Sequence, residues 1–150
     1  MKTILCYGDS LTYGHNPKPG GARHVYEDRW PGAREARRAG KARVSAEGLG
    51  GRTTVLDDWM TAADRNGARI LPTLLRSHSP LDMVIIMLGT NDLKPFLGRT
   101  ALEASNGMRR LIQIVRAFAL EENQSAPQIV IVAPPQISDS RHPEMLEHFG

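Results

Sequence analysis

A parallel α/β fold is what this 150-residue sequence predicts, and three observations carry the expectation. Short continuous apolar runs stop abruptly at turn residues, segments of helical period separate them, and the polar residues able to do chemistry gather where the runs stop. Strands separated by helices imply right-handed crossovers, with helices on both faces of a parallel sheet. Sites in such sheets form at the carboxyl ends of the strands.

Met1–Tyr7 holds the first run, Ile-Leu-Cys-Tyr, stopped by Gly8-Asp9-Ser10 as turn chemistry stops a buried strand. Pro17, Pro19, Gly20 and Gly21 then keep His15–Arg29 in a loop. Trp30–Arg38 reads as a helix, with Pro31 in its first turn and Gly40 as its stop. Arg43–Ala46 is a short strand candidate, and Thr54–Asn66 and Ile70–Ser77 are helix candidates. Asp82–Leu88 contains Met-Val-Ile-Ile-Met-Leu, too short for a typical helix and rich in β-branched residues, so it reads as a central strand covered on both faces. Thr100 and Glu103 form a capping box that opens a helix, whose apolar stripe is Met108, Leu111, Ile112, Val115, Phe118 and Ala119. Gln128–Ala133 is a last strand, cut by Pro134-Pro135, and Pro143–Phe149 could form a short helix.

Composition excludes several classes. Hydrophobic residues at 41% and charged residues at 23% lie near globular averages, against disordered or collagen-like chains. A net charge of +3 gives no case for a nucleic-acid partner without a concentrated patch. The basic stretch Arg29, Arg34, Arg37, Arg38, Lys41 and Arg43 is read as a solvated helix face, because no aromatic platform accompanies it. No run approaches a membrane span, and Ile4–Tyr7 is too short for a signal-peptide core, so a cytoplasmic location with no membrane partner is expected. Cys6 is the only cysteine, which excludes an intramolecular disulfide and any multi-cysteine zinc site; it reads as an inert core thiol. No repeat or linker divides the chain, so residues 1–150 are expected to form one domain.

The strand ends carry the chemistry. Ser10 follows the first strand, where Gly8 permits a tight turn and the hydroxyl can point into a cleft. A serine nucleophile needs a base and preorganised donors for the oxyanion it creates. Gly51 can offer an unobstructed backbone N–H, Asn91 a neutral side-chain amide, and Ser10 its own N–H. Singly these residues are ordinary turn residues. Gly-x-Ser-x-Gly is absent, against a nucleophile elbow of the α/β-hydrolase type, and Walker A, His-Glu-x-x-His and Cys-x-x-Cys are absent too, leaving no positive case for a nucleotide or a metal. A receiver-like phosphoacceptor at Asp57, with Asp9, is disfavoured because Asp57 does not follow a strand.

Taken together, Gly8-Asp9-Ser10-Leu11-Thr12-Tyr13-Gly14, then Glu47-Gly48-Leu49-Gly50-Gly51-Arg52-Thr53-Thr54, then Ile86-Met87-Leu88-Gly89-Thr90-Asn91-Asp92, resemble the SGNH (GDSL) hydrolase family, within it the arylesterase and acyltransferase subgroup. The resemblance spans about Lys2 to Pro135. It implies a three-layer α/β/α sandwich with a flavodoxin-like sheet, and a serine esterase that needs no cofactor. Ser10 matches the nucleophile, Gly51 and Asn91 the oxyanion hole, and Asp9 and Asp92 positions that orient loops. Short acyl groups, acetyl above all, on aryl, alkyl or carbohydrate leaving groups are the implied substrates, with acyl transfer to alcohols as a further outcome. Leu11, Thr12 and Lys94 are expected against substrate, and a homo-oligomer is expected.

The family's catalytic histidine lies in an Asp-x-x-His block near the C-terminus, after a further strand. The residues after Pro135 fall short of that block, its strand and a last helix, so the fold is expected to be C-terminally incomplete as given. Asp139-Ser140-Arg141-His142 fits the pattern by letter, yet it follows the double proline directly, in the family's variable loop. The competing reading is a truncated α/β module that binds ligands without turnover.

Overall fold

A computed structural model describes residues 1–98, 100–123 and 125–135. Four strands, β1 (Lys2–Gly8), β2 (Ala42–Gly48), β3 (Met83–Met87) and β4 (Gln128–Ile131), form one parallel sheet in the order β2-β1-β3-β4. The helices are α1 (Ser10–Tyr13), α2 (Trp30–Ala36), α3 (Gly67–His78) and α4 (Ala101–Glu121). Three 3-10 turns, Tyr26–Asp28, Asn91–Leu93 and Pro95–Leu97, lie in the connections.

Alternation along β1 and β3 divides the core between two faces. Leu5, Tyr7, Val84 and Ile86 pack with Leu71 and Leu75 of α3 and Leu111, Val115 and Phe118 of α4. Ile4, Cys6, Ile85, Ala42 and Val44 face the other way and are covered by Trp30 of α2. Helices therefore lie on both faces of a parallel sheet, as the α/β/α expectation requires. The Cys6 side chain is fully buried, and burial pushes its thiol pKa up to about 12.

Local chemistry sets the helix ends. Thr100 and Glu103 make the expected capping box at the start of α4. Asn66 caps α3, its side chain accepting from the Arg69 N–H at 3.3 Å, so the helix begins three residues before the predicted Ile70. The expected helix over Thr54–Asn66 is corrected: this stretch contains no helix. Its side chains take the backbone partners a helix would need. The Thr53 hydroxyl donates to the Leu56 carbonyl at 2.5 Å, and Asp64 accepts from the Asn66 N–H at 2.9 Å. The Thr54 N–H and hydroxyl are both held by Asp92. The Pro143–Phe149 helix candidate lies outside the described residues. Among the described residues no helix is long and apolar enough to cross a membrane, and no cluster of His, Cys, Asp or Glu is placed to hold a metal ion.

Candidate active site

Strand β1 runs straight into the first site element. Ser10 opens α1 and is half-buried; Asp9 caps it, accepting the Leu11 N–H at 3.1 Å. The chain reverses at Gly14, whose φ of 86° is left-handed. Gly8 is a close-approach position, since a Cβ there would overlap the Thr12 hydroxyl. Among the described residues nothing hydrogen-bonds the Ser10 hydroxyl, and no hydrogen bond uses the Ser10 or Gly51 N–H.

The second element follows β2. Gly51 has φ +80°, and a Cβ there would stand 2.5 Å from the Arg65 guanidinium carbon, so this turn requires glycine. Arg65 Nε also donates to the Gly50 carbonyl at 3.1 Å. Arg52, next in sequence, is buried; its NH1 donates to the Gly8 carbonyl at 3.0 Å and to the Glu47 carbonyl at 2.5 Å. Its guanidinium carbon also lies 4.3 Å from the centre of the Tyr7 ring. One side chain thus ties the carboxyl ends of β1 and β2 together.

The third element follows β3. Asn91 is 7% exposed, and its amide donates to the Arg52 carbonyl at 3.1 Å. The same nitrogen lies 3.5 Å from Asp9 Oδ2, at the limit of a hydrogen bond. Asn91 therefore stands between the Ser10 turn and the Gly51 turn. Pro134 lies 3.7 Å from where a Cβ on Gly89 would be, which brings the fourth strand end beside the third.

Three aspartates flank this centre, two with raised pKa values and one with a lowered one. Burial raises the Asp92 pKa, against the Thr54 hydroxyl and N–H that donate to it at 2.5 and 3.0 Å. Asp9 is likewise raised by burial, against the Leu11 N–H and the Arg52 charge. Asp58 sits between Lys94 Nζ and Arg65 NH1, each 2.9 Å from its Oδ2. Burial works to raise its pKa as well, but the Lys94 ammonium, the Met60 N–H and Arg65 hold it below the usual carboxylate range.

The three residues expected against substrate differ in exposure. Leu11 is 48% exposed and lines a cavity of about 580 Å³ with His15, His24, Trp30, Met87 and Val132. Thr12 is fully buried and accepts from Trp30 Nε1 at 3.2 Å. Lys94 is 4% exposed, and its ammonium is turned onto Asp58. A buried ammonium needs a carboxylate, and Lys94 finds one in Asp58. His78 pairs with Glu47 at 2.7 Å; Asp139 and His142 lie outside the described residues. Sequence reasoning missed Arg52, Thr54, Asp58 and Arg65. An arginine directly after two glycines at a strand end was a usable signal for Arg52; the other three carried none.

A profile of the GDSL-like Lipase/Acylhydrolase family matches residues 6–148. No match was found among curated proteins. Among solved structures, a carbohydrate acetylesterase family member from Sinorhizobium meliloti is 46% identical with a TM-score of 0.93, over 99% of this chain and 70% of that one. Est24, a carbohydrate acetylesterase from Sinorhizobium meliloti, is 42% identical with a TM-score of 0.92, over 100% of this chain and 72% of that one. The native aryl esterase of M. smegmatis is 40% identical with a TM-score of 0.91, over 99% of this chain and 71% of that one.

Proposed function

Because the chain belongs to the GDSL-like lipase/acylhydrolase family, we propose that it hydrolyses short-chain carboxylic esters through an acyl-enzyme on Ser10. The observation that carries this is the position of the Asn91 amide, bonded to the Arg52 carbonyl at 3.1 Å and 3.5 Å from Asp9, between the Ser10 and Gly51 turns. One amide hydrogen is committed to Arg52; the other faces Asp9 across a long 3.5 Å contact, which an oxyanion would replace. With the Ser10 and Gly51 N–H groups it makes three neutral donors for the charge that develops on the carbonyl oxygen.

Ser10 Oγ attacks the ester carbon as a base takes its proton, and the carbonyl electron pair moves onto oxygen. Collapse expels the leaving alkoxide, which takes up that proton from the base, and leaves Ser10 acylated. Water then attacks the acyl carbon and releases the carboxylic acid, with Ser10 Oγ reprotonated. An alcohol in place of water gives acyl transfer. The similarity to carbohydrate acetylesterase and aryl esterase structures favours acetyl groups on sugar or aryl leaving groups. The cavity beside Leu11 offers room for one of these.

Proton transfer needs a base. The resemblance implies an Asp-x-x-His block for it, and His142→Ala tests whether Asp139 and His142 supply it: an unchanged rate excludes them. A homo-oligomer belongs to the same reading, supported by Trp59 and Met60, 71% and 75% exposed side by side. A monomeric sedimentation coefficient would remove it.

The decisive experiment is p-nitrophenyl acetate hydrolysis by the wild type and Ser10→Ala, with mass spectrometry of the quenched protein. A 42 Da adduct on Ser10, about the mass of an added acetyl group, and loss of turnover on substitution are expected. Equal rates in the two proteins would overturn the assignment.

A further inference from the structure

We propose that Asp58 is a positioning residue for the oxyanion hole, tying the Gly50–Gly51 turn to the Asn91 turn through one carboxylate oxygen. The inference rests on the esterase reading above. Asp58 Oδ2 lies 2.9 Å from Lys94 Nζ and 2.9 Å from Arg65 NH1. The two cations address different donors of the hole. Lys94 closes the 3-10 turn that begins at Asn91, its N–H donating to the Asn91 carbonyl at 3.4 Å. Arg65 reaches the other turn, with Nε on the Gly50 carbonyl at 3.1 Å and its guanidinium filling the space a Cβ on Gly51 would occupy.

The chemistry of the three side chains requires the link. Their exposures are 0% for Asp58, 5% for Lys94 and 16% for Arg65, so removing one partner strands a charge away from water. The segment that supplies Asp58 has no helix of its own, so ion pairs, with the Asp58 turn onto the Met60 N–H, hold it beside the site. Oxyanion donors act by being in place before charge develops, and a shift of about 1 Å can cost on the order of 10² in rate. A link between two donors from separate strand ends sets their spacing.

Amide hydrogen exchange and hydrolysis kinetics on the full chain test the link, in Asp58→Asn, Asp58→Glu, Lys94→Met and Ser10→Ala. The Arg52 N–H, bonded to the Leu49 carbonyl, reports on the glycine turn; the Leu93 N–H, bonded to the Thr90 carbonyl, reports on the asparagine turn. In Asp58→Asn both should exchange about 10-fold faster or more, while the Thr54 N–H, held by Asp92, keeps its rate. kcat for p-nitrophenyl acetate should fall about 10- to 100-fold with KM within about two-fold, and Asp58→Glu should recover part of it. Lys94→Met should loosen Leu93 and leave Arg52 protected, which keeps the test alive if Asp58→Asn does not fold. Unchanged exchange at both reporters in Asp58→Asn, or equal loosening of Arg52, Leu93 and Thr54, overturns the proposal. Ser10→Ala that still turns over overturns the esterase mechanism instead, and leaves the exchange result to decide the link by itself.

Discussion

Asp92 and Asp58 are both buried close to the Asn91 turn, one 1% and the other 3% exposed, yet they are held in opposite ways. Asp92 sits among neutral donors from Thr54, and burial moves its pKa up; Asp58 sits between two cations, and its pKa moves down. The difference separates two ways of fixing a loop. A carboxylate on neutral donors can gain a proton and keep its place, because a carboxylic acid still accepts and also donates. A carboxylate between cations must stay charged, because protonating it strands two buried positive groups. The Thr54–Asp92 contact is thus a hydrogen-bonded joint, and the Lys94–Asp58–Arg65 contact an electrostatic one.

The largest effect is expected where the two meet. Asn91 precedes Asp92 and opens the turn that Lys94 closes, so Asn91→Ala removes the donor that both arrangements support. Turnover should fall by about 10²–10³. A loss below about five-fold, on p-nitrophenyl acetate, would say that neither aspartate serves the oxyanion. Thr54→Val comes next, since it removes the hydroxyl on Asp92 at 2.5 Å and keeps side-chain shape. Urea denaturation should show a loss of about 1–3 kcal/mol, the cost of leaving a buried acceptor short of a partner.

Acid should separate the two joints by sign. Asp58 has a lowered folded-state pKa, so its stabilisation is present above the unfolded value near 3.9 and is lost as pH falls through the folded value. The melting-temperature advantage of wild type over Asp58→Asn should therefore shrink below about pH 4. Asp92 has a raised folded-state pKa, so wild type should gain on Asp92→Asn as pH falls from neutral toward 4, its proton binding more tightly in the folded chain. Parallel curves for the two variants would erase the contrast. The smallest effect belongs to Arg69, half-exposed and paired with Asp57 and Asp64 outside this centre. Arg69→Ala should lower the melting temperature least of these variants, and the difference should shrink further in salt, as it does for surface pairs.

How much of this was legible depends on the reach of each contact. The strands and α4 announced themselves by apolar runs and a capping box, which are local patterns. The grouping of Ser10, Gly51 and Asn91 was legible because each lies in a turn within about four residues of a strand's carboxyl end, where such sheets gather their polar residues. Asp58, Arg65 and Lys94 were not. Asp58 and Lys94 stand 36 positions apart, and nothing near either names the other. The helix read over Thr54–Asn66 failed for the same reason: the partner that takes the Thr54 N–H is Asp92, 38 positions away. Lys94 stands beside the motif in sequence, and nothing local to it shows that its ammonium is buried against Asp58.

Cys6 has a use outside catalysis. It is the one thiol in the sequence, fully buried in β1, with its pKa pushed up to about 12. A thiol kept protonated and out of reach will not meet a maleimide or iodoacetamide in the folded protein. The wild-type chain is therefore a ready background for site-specific labelling. A cysteine introduced by Met60→Cys, at a position 75% exposed on the loop that carries Asp58, would take a single fluorophore or spin label and report on that loop as substrate arrives.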